Sequence, residues 1–331
     1  LAASLLTALA GGVLYARSPG DSLAVALLAA SILSPLYTLH EFARAASFTH
    51  FKVRSVLAID LSTLVLQALL LFAMWAFDAM TITGVYLVIA LSCLPPLAVW
   101  AWAWREQWSL DNASFRQDCR EIWQFSRWLV LARTMGQGSR LIIPWLVYAM
   151  LSEAAAGRLA ICLSLTGLAW LFVRGLNTFF RPFIVQAFSQ GGPAALSRAV
   201  LWTSLTQTLL LLPVLLLFVF ASDPVMELIY KKSFPAATML LVLLTLNTLA
   251  TSWAIATATG LLALDRPSSN LWIEGATLLL TLVLSAPLIL VSGLEGAAWA
   301  MLAGNVAGAG MAYWMFQREL ARVPAAQETP A

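Results

Sequence analysis

Four arginines, Arg133, Arg140, Arg158 and Arg174, stand within or at the edge of two consecutive apolar stretches. An ionised side chain inside a bilayer is costly, so each is read as a functional candidate. Arg133 and Arg140 are seven residues apart, almost two helical turns, and return to nearly the same face. A guanidinium stays charged and its planar fork binds phosphate oxygens in pairs, so the pair forms a cationic stripe suited to an anion. Arg140 lies deepest, about 18 Å of helical rise from Trp128 and too far in to snorkel. Arg133, two turns nearer one end, either lines the same cavity or reaches the headgroups. Arg174, about six residues from a span end, and Arg158, at a boundary, serve either as phosphate contacts or as membrane anchors. Between Arg133 and Arg140 lie Gly136, Gln137 and Gly138, with Pro144 one turn beyond. That set weakens or kinks a helix, so the span is expected to face a cavity, where freed backbone groups can be satisfied, and to bend during transport.

Other polar residues offer weaker chemistry. Asp60 and Glu274 each fall four or five residues inside a span, placed either to couple H+ or Na+ or to form structural ion pairs. Thr245, Thr248, Ser252 and Thr259, with Asn247 nearby, form a stripe that lines a cavity or packs helices. Gly304 and Gly308 read as a close-packing pair. Cys93, Cys119 and Cys162 have neither disulfide nor zinc spacing. There is no phosphate-binding glycine loop or nucleophile elbow, and His40 and His50 share one turn. No enzyme, cofactor, metal site or nucleic-acid partner is expected.

These residues must be positioned by membrane helices. With 61% apolar and 11% charged residues and a mean hydropathy of +0.84, the chain is a polytopic all-α membrane protein. A span needs about twenty apolar residues, which gives about ten spans, at 1–15, 22–39, 56–77, 82–104, 128–151, 159–180, 199–221, 236–264, 271–291 and 297–316. Loop arginines and lysines alternate in density, and the richer set, including Arg44, Lys52, Arg54, Arg105, Arg127, Arg181 and Arg266, is assigned to the cytoplasm. Arg17, Lys231 and Lys232 fall on the other side. The expected organisation is a partial lobe over 1–104, a cytoplasmic linker over 105–127, a second lobe of six helices over 128–320 and a tail over 321–331.

Two segments repeat a pattern: LAIDLSTLVL at 57–66 and LWIEGATLLL at 271–280. Ile59 matches Ile273, Thr63 matches Thr277, and the acid recurs as Asp60 and Glu274. Lys52 and Arg266 each lie eight residues before that acid. Six spans separate the two, so both run the same way, and the repeat relates two parallel six-helix halves. The first half shows four spans, and the chain opens inside an apolar run without methionine, so two further helices are expected upstream.

The elbow HEFARAASFTHFKVRSVLAID at 40–60, with ALDRPSSNLWIEG at 263–275 and the Gly-Leu-Glu-Gly-Ala-Ala turn before the last span, resembles the polysaccharide and O-antigen flippases of the multidrug, oligosaccharidyl-lipid and polysaccharide exporter superfamily. The resemblance is diffuse but covers essentially the whole chain. It implies a two-lobed, MATE-like bundle of six plus six helices with the first two missing, in the bacterial cytoplasmic (inner) membrane. The implied substrate is an undecaprenyl-diphosphate-linked oligosaccharide, moved to the outer leaflet by alternating access, with polysaccharide polymerase machinery as a possible partner alongside membrane lipids. The rivals are a multidrug exporter of the same architecture and a membrane enzyme of polysaccharide assembly, a polymerase or ligase.

Overall fold

The computed structural model describes residues 2–18, 22–50, 52–105, 112–230 and 237–323. Lys231, Lys232 and the tail from 324 onward lie outside the described residues, as does part of the expected linker. Among the described residues all regular structure is helical. The helices are α1 (Ala2–Arg17), α2 (Ser22–Thr49), α3 (Val53–Ala76), α4 (Ile82–Ala103), α5 (Asn112–Met150), α6 (Glu153–Tyr230), α7 (Ala237–Ala263) and α8 (Pro267–Leu320).

Two of these are not single rods. At about 1.5 Å per residue, the 78 residues of α6 would extend roughly 117 Å, several times a bilayer's apolar thickness. Gly192, at φ 63°, and Ala221, at φ −138°, leave helical geometry and divide it. Gly293, at φ 60°, divides α8 in the same way. Positive φ is open to glycine at little cost, and Pro193 directly after Gly192 starts the next helix where its missing N–H is harmless. Asp265, at φ 56°, ends α7, and Pro267 stands in the first turn of α8. With these divisions the described helices supply eleven segments, ten over the positions the hydropathy reading gives and a short one, 222–230, after Ala221.

Among the described residues six helices are long and apolar enough to cross a membrane, and the chain is a multi-pass membrane protein. α5 is not among the six: Arg133, Gln137 and Arg140 sit on it and reduce its mean hydropathy. α2 runs ten residues beyond the expected span and α5 starts well before its own, so the elbow and much of the expected linker are helical.

The chain falls into two compact units, residues 1–112 and 113–331. In the first, α1 packs on α2, and α2, α3 and α4 pack on one another around Ala43, Ile59, Cys93, Leu97, Trp100 and Trp104. Its cohesion includes a small polar cluster. Arg44 is paired with Glu41 at 2.9 Å and Asp60 at 2.8 Å, and His40 Nε2 lies 3.0 Å from Thr63 Oγ1.

In the second unit α6 packs closely on α7 and α7 on α8, while α5 makes no comparably close helix contact among the described residues. α5 joins the core through longer side chains, Ile143 and Val147, which meet Leu159, Leu241 and Met301. Polar ties hold the other helices. Gln207 donates to Asn177 at 2.9 Å, Trp253 to Thr208 at 2.9 Å, and Asn305 to Asn247 at 2.9 Å. Between membrane helices such bonds are worth about 0.6 kcal/mol each on average. The two segments of α8 close on each other through small residues: Thr281 is seated against Gly304 and Thr277 against Gly308, where a Cβ would collide with each hydroxyl.

The repeated motif has matching local geometry in both units. Lys52 and Arg266 are the residues immediately before α3 and α8, and Asp60 and Glu274 are each the eighth helical residue. Ile59 and Ile273 are buried, and Thr63 and Thr277 each donate to that isoleucine's carbonyl at 2.8 Å. What differs is the acid's surroundings.

Candidate functional site

A cavity of about 410 Å³ opens within the second unit. α5 supplies its charged wall with Arg133, Gln137 and Arg140; α6 adds Thr166 and Trp170; α7 adds Asn247, Thr248 and Thr251; α8 adds Glu274, Thr277 and Asn305. The loose seating of α5 leaves this space. The closer contacts among α6, α7 and α8 make its opposite wall.

Arg140 lies with its guanidinium carbon 4.9 Å from the centre of the Trp170 ring. The ring face is the negative end of an aromatic quadrupole, so this contact holds the guanidinium while leaving its N–H groups free for a ligand. Four other cation–π pairs, Lys52 with Trp104, Arg105 with Trp102, Arg127 with Trp128, and Arg318 with Trp314, sit at or beside the ends of the expected spans. Those are the places where arginine, lysine and tryptophan anchor a helix. Among the described pairs, that of Arg140 falls well inside the expected spans, and it lines the cavity. Neither Arg140 nor Arg133 has an ion-pair partner within 4 Å among the described residues.

Glu274 faces the same space. A Cβ on Gly136 would lie 2.5 Å from Glu274 Oε2 and 3.0 Å from its carboxyl carbon. Gly136 is therefore a notch that seats the carboxylate against α5. α5 stays helical through Gly136, Gln137 and Gly138. The glycine serves close approach of the acid, and intrahelical bonding continues around it. Glu274 is on the charged wall with Arg133, and two cations against one acid leave the cavity net positive.

The other sequence candidates separate. Gln137, Asn247 and Thr248 line the cavity, with Asn247 accepting from Asn305 and Thr248 donating to the Leu244 carbonyl. Ser252 is fully buried and donates to the Leu249 carbonyl. It lies off the cavity wall, and Thr251 stands there instead. Arg158 and Arg174 are exposed and line neither this cavity nor the smaller one beside it. Asp60 lies in the other unit, held by Arg44. Trp170 and Asn305 were not singled out from the sequence, and Thr277 entered there only as a repeat position. Trp170 carried a usable signal, because it is central in the 159–180 span whereas most tryptophans mark span ends. Among the described residues no group of three His, Cys, Asp or Glu could hold a metal ion.

Fold and site together define a multi-pass helical membrane protein with a polar, net positive cavity inside one helical unit. No protein-family model matches the chain, and no curated protein matches it. Solved structures do. An outward-facing multidrug resistance MATE transporter of the MOP superfamily aligns with TM-score 0.82 at 14% identity, over 99% of this chain and 76% of that one. A MOP superfamily transporter from Pyrococcus furiosus, described as having a binding pocket of reverse polarity that suggests a different function, gives TM-score 0.80 at 13% identity over 99% and 76%. A Vibrio cholerae MATE transporter in the bent form gives 0.74 at 17% over 97% and 77%. At these identities the likeness is one of fold: the chain has the all-helical fold of MATE transporters.

Proposed function

We propose that the chain is a membrane transporter that moves a lipid-linked, anionic sugar, of the undecaprenyl-diphosphate-linked oligosaccharide class, from the cytoplasmic to the outer leaflet of the bacterial inner membrane. The observation that carries this reading is Arg140: a guanidinium backed by Trp170, unpaired by any acid among the described residues and facing a cavity. Arg133 adds a second cation on the same face. A cavity of about 410 Å³ is within the size range of ligand pockets and suits a diphosphate with its first sugar, while the acyl chain stays in lipid. Gln137, Asn247 and Thr248 would meet sugar hydroxyls. In this reading Glu274 is the site for a coupling H+ or Na+, Asp60 is a structural pair with Arg44, and Arg158 and Arg174 anchor helix ends. Polysaccharide biosynthesis, with its polymerase machinery, would receive the product.

The second reading is a MATE-type exporter of cationic drugs. Glu274 in the same cavity is the observation that favours it, since a cation needs an acid at depth. Pocket polarity varies within this fold, as the description of the Pyrococcus furiosus transporter states, and two arginines against one acid weigh toward an anion. Catalysis by a polymerase or ligase would need a reacting group, and the cavity offers none beyond Glu274.

The test is genetic. Deleting the gene and labelling lipid-linked sugars should show accumulation on the cytoplasmic leaflet, rescued by the full-length protein but not by Arg140→Ala. Undiminished outer-leaflet delivery in the deletion strain would overturn the proposal. Sensitisation to cationic drugs without sugar accumulation would favour the exporter.

A further inference from the structure

The main cavity continues past Glu274. A second cavity of about 80 Å³ shares Arg133, Ile273 and Glu274 with it. The polar residues it adds are Arg181 from α6, Thr259 from α7 and Asn270 from the first turn of α8, beside four apolar ones. Arg181 and the start of α8 belong to the end of the bundle that loop charge assigns to the cytoplasm, so this chamber lies between the cytoplasm and Arg140.

Its chemistry is more specific than a basic patch. Arg133 and Arg174 are charged neighbours of Arg181, and Arg181 makes no ion pair within 4 Å among the described residues. Two guanidinium groups from different helices thus line one small space. Asn270 is 9% exposed, and its Oδ1 is buried without a hydrogen-bond partner. A buried acceptor left unmet costs about 1 to 3 kcal/mol, which a ligand donor at that point would recover. Thr259 offers nothing further as a donor, since its hydroxyl is committed to the Ile255 carbonyl. Glu274 supplies the other acceptor, and its charge opposes a bare polyanion.

Two cationic forks with two acceptor oxygens complement a phosphate ester that carries a neighbouring hydroxyl. The phosphoryl oxygens take the guanidinium N–H groups, and the hydroxyl donates to Asn270 or Glu274. At about 80 Å³ against about 410 Å³ for the main cavity, the chamber takes the phosphoryl end of a ligand while the remainder stays in the adjoining larger space. Arg133, common to both chambers, is the link through which an anion held at Arg181 passes to Arg140.

We propose that this smaller chamber is an arrival subsite for a hydroxyl-bearing phosphate ester, gripped by Arg181 and Arg133 and read by Asn270, on the cytoplasmic side of the main cavity. It rests on the reading of the main cavity as an anion site. The test is calorimetric titration of the full chain in lipid nanodiscs with glucose 1-phosphate, inorganic phosphate and methyl glucoside. Glucose 1-phosphate should bind tightest. Arg181→Ala should weaken it about tenfold and Arg181→Lys should restore part of the loss, because lysine keeps the charge without the fork. Asn270→Ala should bring glucose 1-phosphate down toward inorganic phosphate while leaving phosphate itself within about twofold. Arg140→Ala is measured beside them, and each variant's folding is checked by thermal melting. Loss with Arg140→Ala but none with Arg181→Ala overturns the subsite and leaves the main reading standing. Loss with Arg181→Ala but none with Arg140→Ala supports the subsite and sinks the main reading. Wild-type binding by both variants overturns both.

Discussion

Replacing Gly136 by alanine perturbs the site without removing any charge. The new Cβ would lie 2.5 Å from Glu274 Oε2, where ordinary contact begins at 3.4 Å, so the carboxylate must retreat by about 1 Å. Glu274 is the far end of a flexible side chain facing open space, so that retreat costs little. The exchange also gains helix propensity, about 1 kcal/mol for glycine to alanine in a helix interior. Gly136→Ala should therefore melt at or above the wild-type temperature in detergent while its transport falls. The cause is assigned by a double-mutant cycle with Glu274→Ala, because residues in contact couple and independent ones add. In the Glu274→Ala background, Gly136→Ala should show the full propensity gain and no further effect on transport. Equal effects of Gly136→Ala with and without the Glu274 side chain, on both melting and transport, would refute the notch.

Further substitutions test the rest of the frame. Gly304→Ala and Gly308→Ala should each destabilise by about 1–3 kcal/mol through overpacking against Thr281 and Thr277, whereas Gly138→Ala and Gly310→Ala, which face open space, should leave the melting temperature unchanged or raised. Trp170→Leu should weaken anion binding by the cation–π contribution, about 0.5 to 2 kcal/mol, with Trp170→Phe intermediate in a titration with glucose 1-phosphate. Asp60→Asn combined with Arg44→Gln should show a coupling of about 1 kcal/mol or less, as expected for a partly exposed pair, and should spare transport. Glu274→Gln should impair transport with little loss of stability, measured by the same melts and flux assays.

Much of this fold was legible because bilayer physics is strict about length and polarity. Apolar runs of about twenty residues gave ten expected spans, each of which a helical segment covers, and the breaks at Gly192 and Gly293 fall between expected spans because glycine takes positive φ cheaply. The acid repeat was visible as spacing, but its two environments were not: Asp60 meets Arg44 and Glu274 meets Gly136 through tertiary packing that spacing does not encode. The same limit explains Gly136, which reads in sequence as a helix breaker and acts as a notch, since the decisive fact is which side chain arrives from another helix. Arg133, Arg140, Gln137, Asn247 and Thr248, which line one cavity, are conspicuous in sequence as polar residues in apolar spans. Arg181 and Asn270 were passed over because, beside a span end, an arginine or asparagine looks like ordinary boundary chemistry. Ser252 stands off the cavity wall, since a hydroxyl on a polar stripe can satisfy itself on its own backbone.

The central claim is that a deep cation carries an anionic lipid-linked sugar, and reconstituted flipping tests it most directly. The purified full-length protein in proteoliposomes should move a polyprenyl-diphosphate-linked sugar between leaflets. Arg140→Ala should abolish that movement while Arg198→Ala, an exposed arginine away from both cavities, flips at the wild-type rate. Equal flipping by Arg140→Ala and the wild-type protein would contradict the account.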